Sequence, residues 1–129
     1  MLWAAAPGIG DDLPQTQARV VASHALPRLD GAHLRTDIVE VTYPPGGRSP
    51  VHSQPCAVSG YVTEGVVRMQ TKGGPETFYK AGEAFYEAPD SVHLVSANAS
   101  AKQPARFVAY FVCDRETELS VPVEGGGGR

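Results

Sequence analysis

Short β-prone segments, separated by glycine and proline, run through most of this 129-residue chain and constrain its fold more than any other feature. Residues 37–43 carry an apolar side chain at every second position, which is typical of a half-buried strand. Turn sequences such as PPGG (44–47) and KGGP (72–75) separate the segments. Because strands recur at a spacing of about 8–12 residues without any helical period, the sequence predicts an all-β barrel or sandwich.

The expected strands are, in chain order, 19–26, 37–43, 51–54, 58–65, 66–71, 76–80, 81–89, 91–98 and 105–113, with a last edge strand within 114–123. The segment 105–113 is almost continuously apolar, which predicts a central strand covered on both faces. We interpret residues 1–18 as an N-terminal arm, residues 19–123 as the barrel and residues 124–129 as a flexible tail.

Composition excludes several classes of partner. The chain has the length of one domain, with 42% hydrophobic and 19% charged residues, a balance typical of globular proteins. Its net charge is −3 and it has no basic run, so nucleic acid is not expected to bind. The first ten residues are too short to cross a bilayer and lack the basic region of a signal peptide. We therefore expect a cytoplasmic protein without a membrane partner.

The two cysteines, Cys56 and Cys113, do not have the spacing of a metal-binding pair. They either form one disulfide or remain two buried thiols, and the sequence favours the thiols.

One histidine, His52, lies in a segment of characteristic spacing. Five residues separate Gly46 from His52, and six separate Val58 from Gly65. The segment resembles the first motif of the cupin family, G-x5-H-x-H-x3–4-E-x6-G. Gln54 stands at the place of the second histidine and Val58 at the place of the glutamate.

A second histidine, His93, lies in a segment that resembles the second cupin motif, G-x5-P-x-G-x2-H-x3-N. The offset from Gly82 to His93 is kept. Pro89 and Asn98 each come one place late, and Ser91 replaces a glycine.

This resemblance covers residues 37–113 and points to the small single-domain cupins of bacterial type. It implies a double-stranded β-helix, which is a jelly-roll barrel of six to eight antiparallel strands. In cupins with complete motifs, three histidines and a glutamate bind a divalent metal such as iron, manganese, nickel, copper or zinc. For this chain the resemblance implies a partly degenerate metal site made of His52, His93 and Gln54, without a carboxylate. Residues two apart on a strand, such as 52 and 54, point to the same face.

Two functions follow from these residues. The first is a metal-dependent enzyme that acts on a small organic molecule in an unknown reaction. The second is a metal-free, non-catalytic module that binds a small molecule or dimerises. The resemblance also implies a homodimer, in which the arm 1–18 would reach a neighbour.

Other residues are candidates for the same pocket or for its surroundings. The side chains expected to line the substrate pocket are Tyr61, Met69, Phe85 and Tyr110. Glu83 and Glu87 form either an acid–base pair or a solvated strand edge. His24 and His33 lie outside the motifs and are interpreted as surface histidines.

Overall fold

The structure, a computed structural model, describes residues 14–123 and confirms the all-β prediction. Nine strands lie within this part of the chain, one more than the six to eight that the cupin resemblance implied and one fewer than the ten segments expected from the local patterns. They are β1 (Arg35–Tyr43), β2 (His52–Gln54), β3 (Ala57–Glu64), β4 (Val66–Thr71), β5 (Thr77–Lys80), β6 (Ala84–Glu87), β7 (Ser91–Asn98), β8 (Ala105–Cys113) and β9 (Val121–Pro122). The helical element of the described residues is a single short turn, Gly31–His33. None of their helices has the length and apolar character needed to cross a membrane.

The strands form two antiparallel sheets that face each other as a jelly-roll barrel. The first sheet has the strand order β1-β8-β3-β6, and the second has the order β5-β4-β7-β2-β9. Most strands that are hydrogen-bonded to each other in these sheets are distant in sequence. Strand pairing therefore connects the two halves of the chain. The predicted edge strand near the C-terminal end is present as β9, which pairs with β2.

Strand β8 lies between β1 and β3 and supplies much of the core. Phe107, Ala109 and Phe111 point inward and are buried, whereas Arg106 and Tyr110 point outward and are exposed. The predicted central position is confirmed. The prediction that both faces are covered is confirmed only in part, because the N-terminal segment around Val20 and His24 lies over part of the outer face, whereas Arg106 and Tyr110 remain exposed.

The strand predicted at 19–26 is absent, and the first strand begins at Arg35. Val20 and Val21 are 60% and 40% exposed and have no ladder partner. A β-prone composition does not make a strand without a neighbouring strand to pair with, which explains the difference. The first barrel strand therefore begins well after residue 19, where the barrel domain was predicted to start. Most of the expected arm and the whole tail, 124–129, lie outside the described residues.

The two cysteines form a disulfide, which corrects the expectation of two free thiols. Cys56 and Cys113 are 57 positions apart in the chain, and 3% and 0% exposed. The register of β3 against β8 pairs Ala57 with Val112, and this brings the two flanking cysteines together. The sequence alone did not contain this register, so the pairing could not be predicted from the spacing.

Candidate functional site

A cavity of about 440 Å³ lies between the two sheets. Its walls are mainly carbon, and their larger side chains are Val39, Val41, Met69, Phe85, Phe107 and Phe111. Met69 and Phe85, which were predicted to line a pocket, lie in this wall. The ring of Phe85 lies over Gly60, its partner on β3, where any Cβ atom would collide with the ring. The missing side chain of Gly60 thus fixes the place of this aromatic wall.

Tyr61 and Tyr110 do not line this cavity, which corrects the prediction for these two residues. They are 38% and 44% exposed and lie on the outer face of the four-stranded sheet. Both line a shallower cleft beneath the N-terminal segment. Their aromatic character suggested a pocket, but their strand parity decides the face, and it is opposite to that of the buried β8 residues.

The two motif histidines meet inside the cavity, as the sequence predicted. Strands β2 and β7 are antiparallel, and His52 stands directly opposite His93. The ring centroids are 5.0 Å apart, with an interplanar angle of 63°. His52 is 9% exposed, His93 is 3% exposed, and Gln54 on the same face of β2 is 8% exposed. All three predicted metal residues therefore lie together in the cavity wall.

A backbone contact defines the tautomer of His52. Its Nδ1 lies 2.8 Å from the carbonyl oxygen of Pro50. Because a carbonyl only accepts, Nδ1 carries the proton and donates it. In the neutral ring, Nε2 then keeps its lone pair, which is the arrangement found in metal-binding histidines whose other nitrogen is anchored.

A buried carboxylate that the motif comparison did not assign completes the cluster. Glu87 on β6 is 5% exposed and stands directly opposite Val58 on β3. The first cupin motif has its glutamate at position 58, where this chain has valine. The carboxylate of Glu87 comes instead from the neighbouring strand, at the position paired with Val58. The Oε2 atom of Glu87 contacts Nε2 of His93. Of the two glutamates considered from the sequence, Glu87 faces the cavity, because it shares the inward parity of Phe85 within β6. Glu83 has the same parity but precedes the strand and is exposed, so parity alone could not separate the two.

Several polar atoms in this cluster lack a hydrogen-bond partner among the described residues. They are Oε1 of Gln54, Oε1 of Glu87 and both ring nitrogens of His93, whose Nε2 contacts Glu87 without hydrogen-bond geometry. Buried polar atoms without partners cost free energy, commonly about 1–3 kcal/mol each. Two imidazoles, a carboxylate and an amide oxygen are ligands that divalent transition metals accept. The donor set therefore fits a metal chemically, although no group of three His, Cys, Asp or Glu in the described part of the chain is already arranged as a metal site.

Burial shifts the protonation of both partners in the Glu87–His93 contact. Loss of solvation raises the pKa of the Glu87 carboxyl from 4.5 to about 8. Loss of solvation lowers the pKa of His93 from 6.5 to about 4, and repulsion from His52 adds to this. The pair thus holds one proton between about pH 4 and pH 8.

We expect the metal-free protein to lose stability as the pH rises from 6.5 to 8. Above 6.5 the unfolded chain has released both protons of the pair, whereas the folded protein keeps one until about 8. Folding then takes up a proton, so the free energy of unfolding falls by about 1.4 kcal/mol per pH unit, on the order of 2 kcal/mol in total. Between 4.5 and 6.5 both states hold one proton, and the pair's contribution is level. Urea unfolding of chelator-treated protein at a series of pH values measures this.

The matched control for this pH series is Glu87→Gln, which keeps the shape of the side chain but cannot release a proton. Of the pair, only His93 still titrates in this variant. Its contribution to the free energy of unfolding should therefore rise from pH 4 to 6.5 and stay level above pH 6.5. If the variant lost stability above pH 6.5 as steeply as the natural protein, Glu87 would not be the responsible group.

A second polar cluster in the cavity wall consists of hydroxyl groups. The hydroxyl oxygen of Tyr43 lies 2.5 Å from Oγ of Ser49 and 2.9 Å from Oγ of Ser96. Tyr43 is 6% exposed and Ser96 is 5% exposed. Sequence reasoning did not single out these three residues, because they come from distant parts of the chain and none stands at a position that the motifs specify.

Known proteins share both the sequence pattern and the fold. The cupin domain family model matches residues 39–112, which is more than half of the chain. No functionally curated protein matches in sequence. Three solved structures illustrate the likeness in fold, and each of them is below 25% identical.

One of these structures is an oxalate oxidase, with 23% identity and a TM-score of 0.59, matched over 68% of this chain and 46% of that chain. A cupin-like protein from Thermotoga maritima has 23% identity and a TM-score of 0.59, over 68% of this chain and 64% of that chain. The polyketide cyclase RemF from Streptomyces resistomycificus has 23% identity and a TM-score of 0.58, over 77% and 67% of the respective chains. The present chain thus spans less than half of the oxalate oxidase chain. With two sheets wound as a jelly roll and the family's pattern over most of the strands, the chain belongs to the cupin family.

Proposed function

We propose that the protein binds a divalent transition metal, and beside it a small organic molecule, in the cavity between its sheets. The residues that would hold the metal are His52, His93 and Gln54, joined by Glu87. The observation that carries the proposal is the pair of buried imidazoles facing each other across β2 and β7, one of which is anchored through Nδ1. Iron, manganese, nickel, copper and zinc all accept this donor set.

An enzymatic role for this site is the finer part of the proposal. When bound, a metal would supply Lewis-acid assistance to an organic substrate. With the metal bound, Glu87 would be an ionised ligand, because the charge of the ion outweighs the effect of burial on its pKa, and its role would be to hold and orient the ion beside the substrate. Structures that share the fold include an oxalate oxidase, a DMSP lyase and a polyketide cyclase, which supports an enzyme without naming its reaction.

A second function has its own support. Glu87 contacts His93 directly, and the described residues contain no ready-made group of three ionisable metal ligands. In this alternative the cavity binds a small molecule without a metal, and the chain is a binding module.

Metal content separates the two functions. We expect untagged protein incubated with each of the five metals to retain one equivalent of one of them after gel filtration, as measured by mass spectrometry. His52→Ala and His93→Ala should each lose it. His33→Ala is the matched control, because His33 is exposed in the turn before β1. Retention of the metal in both cavity variants, or no retention by the natural protein, would favour the metal-free module.

We also propose a homodimer formed through the outer face of the four-stranded sheet. Ile38 is 72% exposed on this face, and Tyr110, 44% exposed, stands opposite it in the register of β1 and β8. Exposed apolar side chains grouped in this way are typical of interfaces. Light scattering should give the mass of two chains, and Ile38→Glu combined with Tyr110→Glu should give the mass of one. Leu94→Glu, at an exposed leucine of the other sheet, is the control and should leave the dimer intact.

The cytoplasmic location remains a proposal, as does the expected absence of nucleic-acid and membrane partners. The disulfide between Cys56 and Cys113 weighs against the cytoplasm, where most structural cysteines are kept reduced. Thiol labelling of the denatured protein, isolated from its natural cells under acid quench, would show which state it has there.

A further inference from the structure

The charges around the cavity restrict what can occupy it. Among the described residues, its lining contains no lysine and no arginine. Besides the phenol of Tyr43, the ionisable lining groups are the two motif histidines, the buried Glu87 and the exposed Glu118 at the mouth. A carboxylate that entered this space would lose its hydration without gaining a lysine or arginine partner, and the carboxylate of Glu118 at the mouth would repel it.

A bound metal would relax this restriction for a single carboxylate only. A divalent ion held by Glu87 keeps one net positive charge, which balances one ionised oxygen at most. A dicarboxylate would still bring a second charge into a cavity whose remaining walls offer apolar side chains and neutral hydroxyl groups but no lysine or arginine.

The aromatic side of the cavity favours a flat apolar body. Phe85 and Phe107 meet edge to face, with centroids 5.4 Å apart, and Tyr43 is tilted against Phe107 at 6.0 Å. Such an arrangement presents ring edges and faces to a further aromatic ring, which is the geometry that aromatic groups prefer.

The hydroxyl cluster of Tyr43, Ser49 and Ser96 provides a second polar point besides the histidines. Its three hydroxyl groups carry three hydrogens, and the two contacts among them use two. One hydrogen therefore remains that can be donated to an acceptor in the cavity. An uncharged oxygen of a ligand, such as a hydroxyl or a carbonyl, fits this donor.

The cavity is too large to be filled by a very small ligand. Its volume of about 440 Å³ lies within the range of about 300–1,000 Å³ that is usual for sites of drug-sized ligands. It equals the share of about fifteen water molecules in the liquid. A two-carbon acid would leave most of this apolar space to water.

We propose that the natural occupant is an uncharged aromatic molecule with two oxygen functions, one directed to the His52–His93 pair and the other to the Tyr43 hydroxyl cluster. This inference deepens the proposed function and rests on it for the identity of the site. It does not require that the metal be present.

Equilibrium dialysis of the chelator-treated full chain at neutral pH tests the proposal with three probes. They are 2,6-dihydroxynaphthalene, the equally flat 2,6-naphthalenedicarboxylate and oxalate. We expect the diol to bind at least tenfold more tightly than either anion. Equal or tighter binding of an anion, or no binding of the diol, would overturn the proposal.

Conservative variants locate the bound diol. Tyr43→Phe removes the hydroxyl but keeps the ring, and should weaken diol binding by about three- to tenfold, the value of one neutral hydrogen bond. Tyr110→Phe makes the same change on the outer face and should have no effect. If Tyr43→Phe does not fold, as judged by circular dichroism, Ser49→Ala serves for the same hydroxyl cluster. Unchanged diol affinity in the folded variant would overturn the assignment of one ligand oxygen to the Tyr43 hydroxyl cluster.

The failure of this inference is distinguishable from the failure of the proposed function. Probe selectivity is measured without metal, whereas metal retention is measured without probe. A protein that prefers the diol but retains no metal keeps the inference and loses the metal site. A protein that retains metal but prefers the anions does the reverse.

Discussion

Replacing Cys56 and Cys113 together by alanine is expected to lower the free energy of unfolding by about 4 kcal/mol. The disulfide closes a loop of 57 positions, and the chain-entropy relation for a loop of that length gives a value of about 4 kcal/mol. The packing that the folded state loses by the substitution contributes little by comparison, because both side chains are short. For a domain of this size the melting temperature should fall on the order of 20 °C.

Thermal unfolding followed by circular dichroism, with and without a reductant, measures the effect. The natural protein should lose stability on reduction by nearly as much as the double variant has lost, and the double variant should not respond to the reductant. The double variant is its own control, since any general effect of the reductant would also be seen there. Melting curves of the natural protein that coincide under both conditions, and coincide with that of the variant, would contradict the prediction.

The strands could be predicted from the sequence because each is a local pattern. Segments 66–71, 91–98 and 105–113 begin and end where they were expected, since each has β-prone residues between turn signals. The segment 19–26 has equally β-prone residues but no partner strand, and it is not a strand. Pairing is a property of the whole fold, so local composition cannot decide it.

In the site, too, local motifs predicted some residues, whereas others depend on the pairing of strands that are distant in sequence. His52 and His93 were predicted to meet because both motifs fix them on inward positions, and they do so. Glu87 was left undecided, because its role depends on the register that places it opposite Val58. The disulfide and the hydroxyl cluster also depend on pairings between distant segments, and the sequence pattern contained neither.

The register of Glu87 against Val58 leads to the second large effect, which concerns metal affinity. We expect Glu87→Gln to raise the dissociation constant of the metal at least about a hundredfold. Losing a group that only orients a ligand commonly costs about 10–100-fold, and the loss of a carboxylate ligand should cost more. The amide also removes the negative charge that offsets the divalent ion in a buried site.

Exchanging the two residues tests whether the carboxylate, rather than its position on β6, is what the metal needs. Val58 and Glu87 are cross-strand partners, and both line the cavity. In the double variant Val58→Glu, Glu87→Val, the carboxylate returns to the position it has in the first cupin motif, with the same side chains present in the wall. We expect this variant to bind the metal within about tenfold of the natural affinity, in contrast to Glu87→Gln.

Isothermal titration of the chelator-treated proteins with the retained metal measures these affinities. Glu83→Gln is the matched control. The side chain of Glu83 accepts a hydrogen bond from the backbone of Lys80 and lies outside the cavity lining, so its removal should leave the affinity unchanged. If Glu87→Gln bound as tightly as the natural protein, the histidines would hold the metal without a carboxylate. If the exchange variant folded but bound no better than Glu87→Gln, the geometry of β6 would be essential, because position 87 alone would bring the carboxylate to His93.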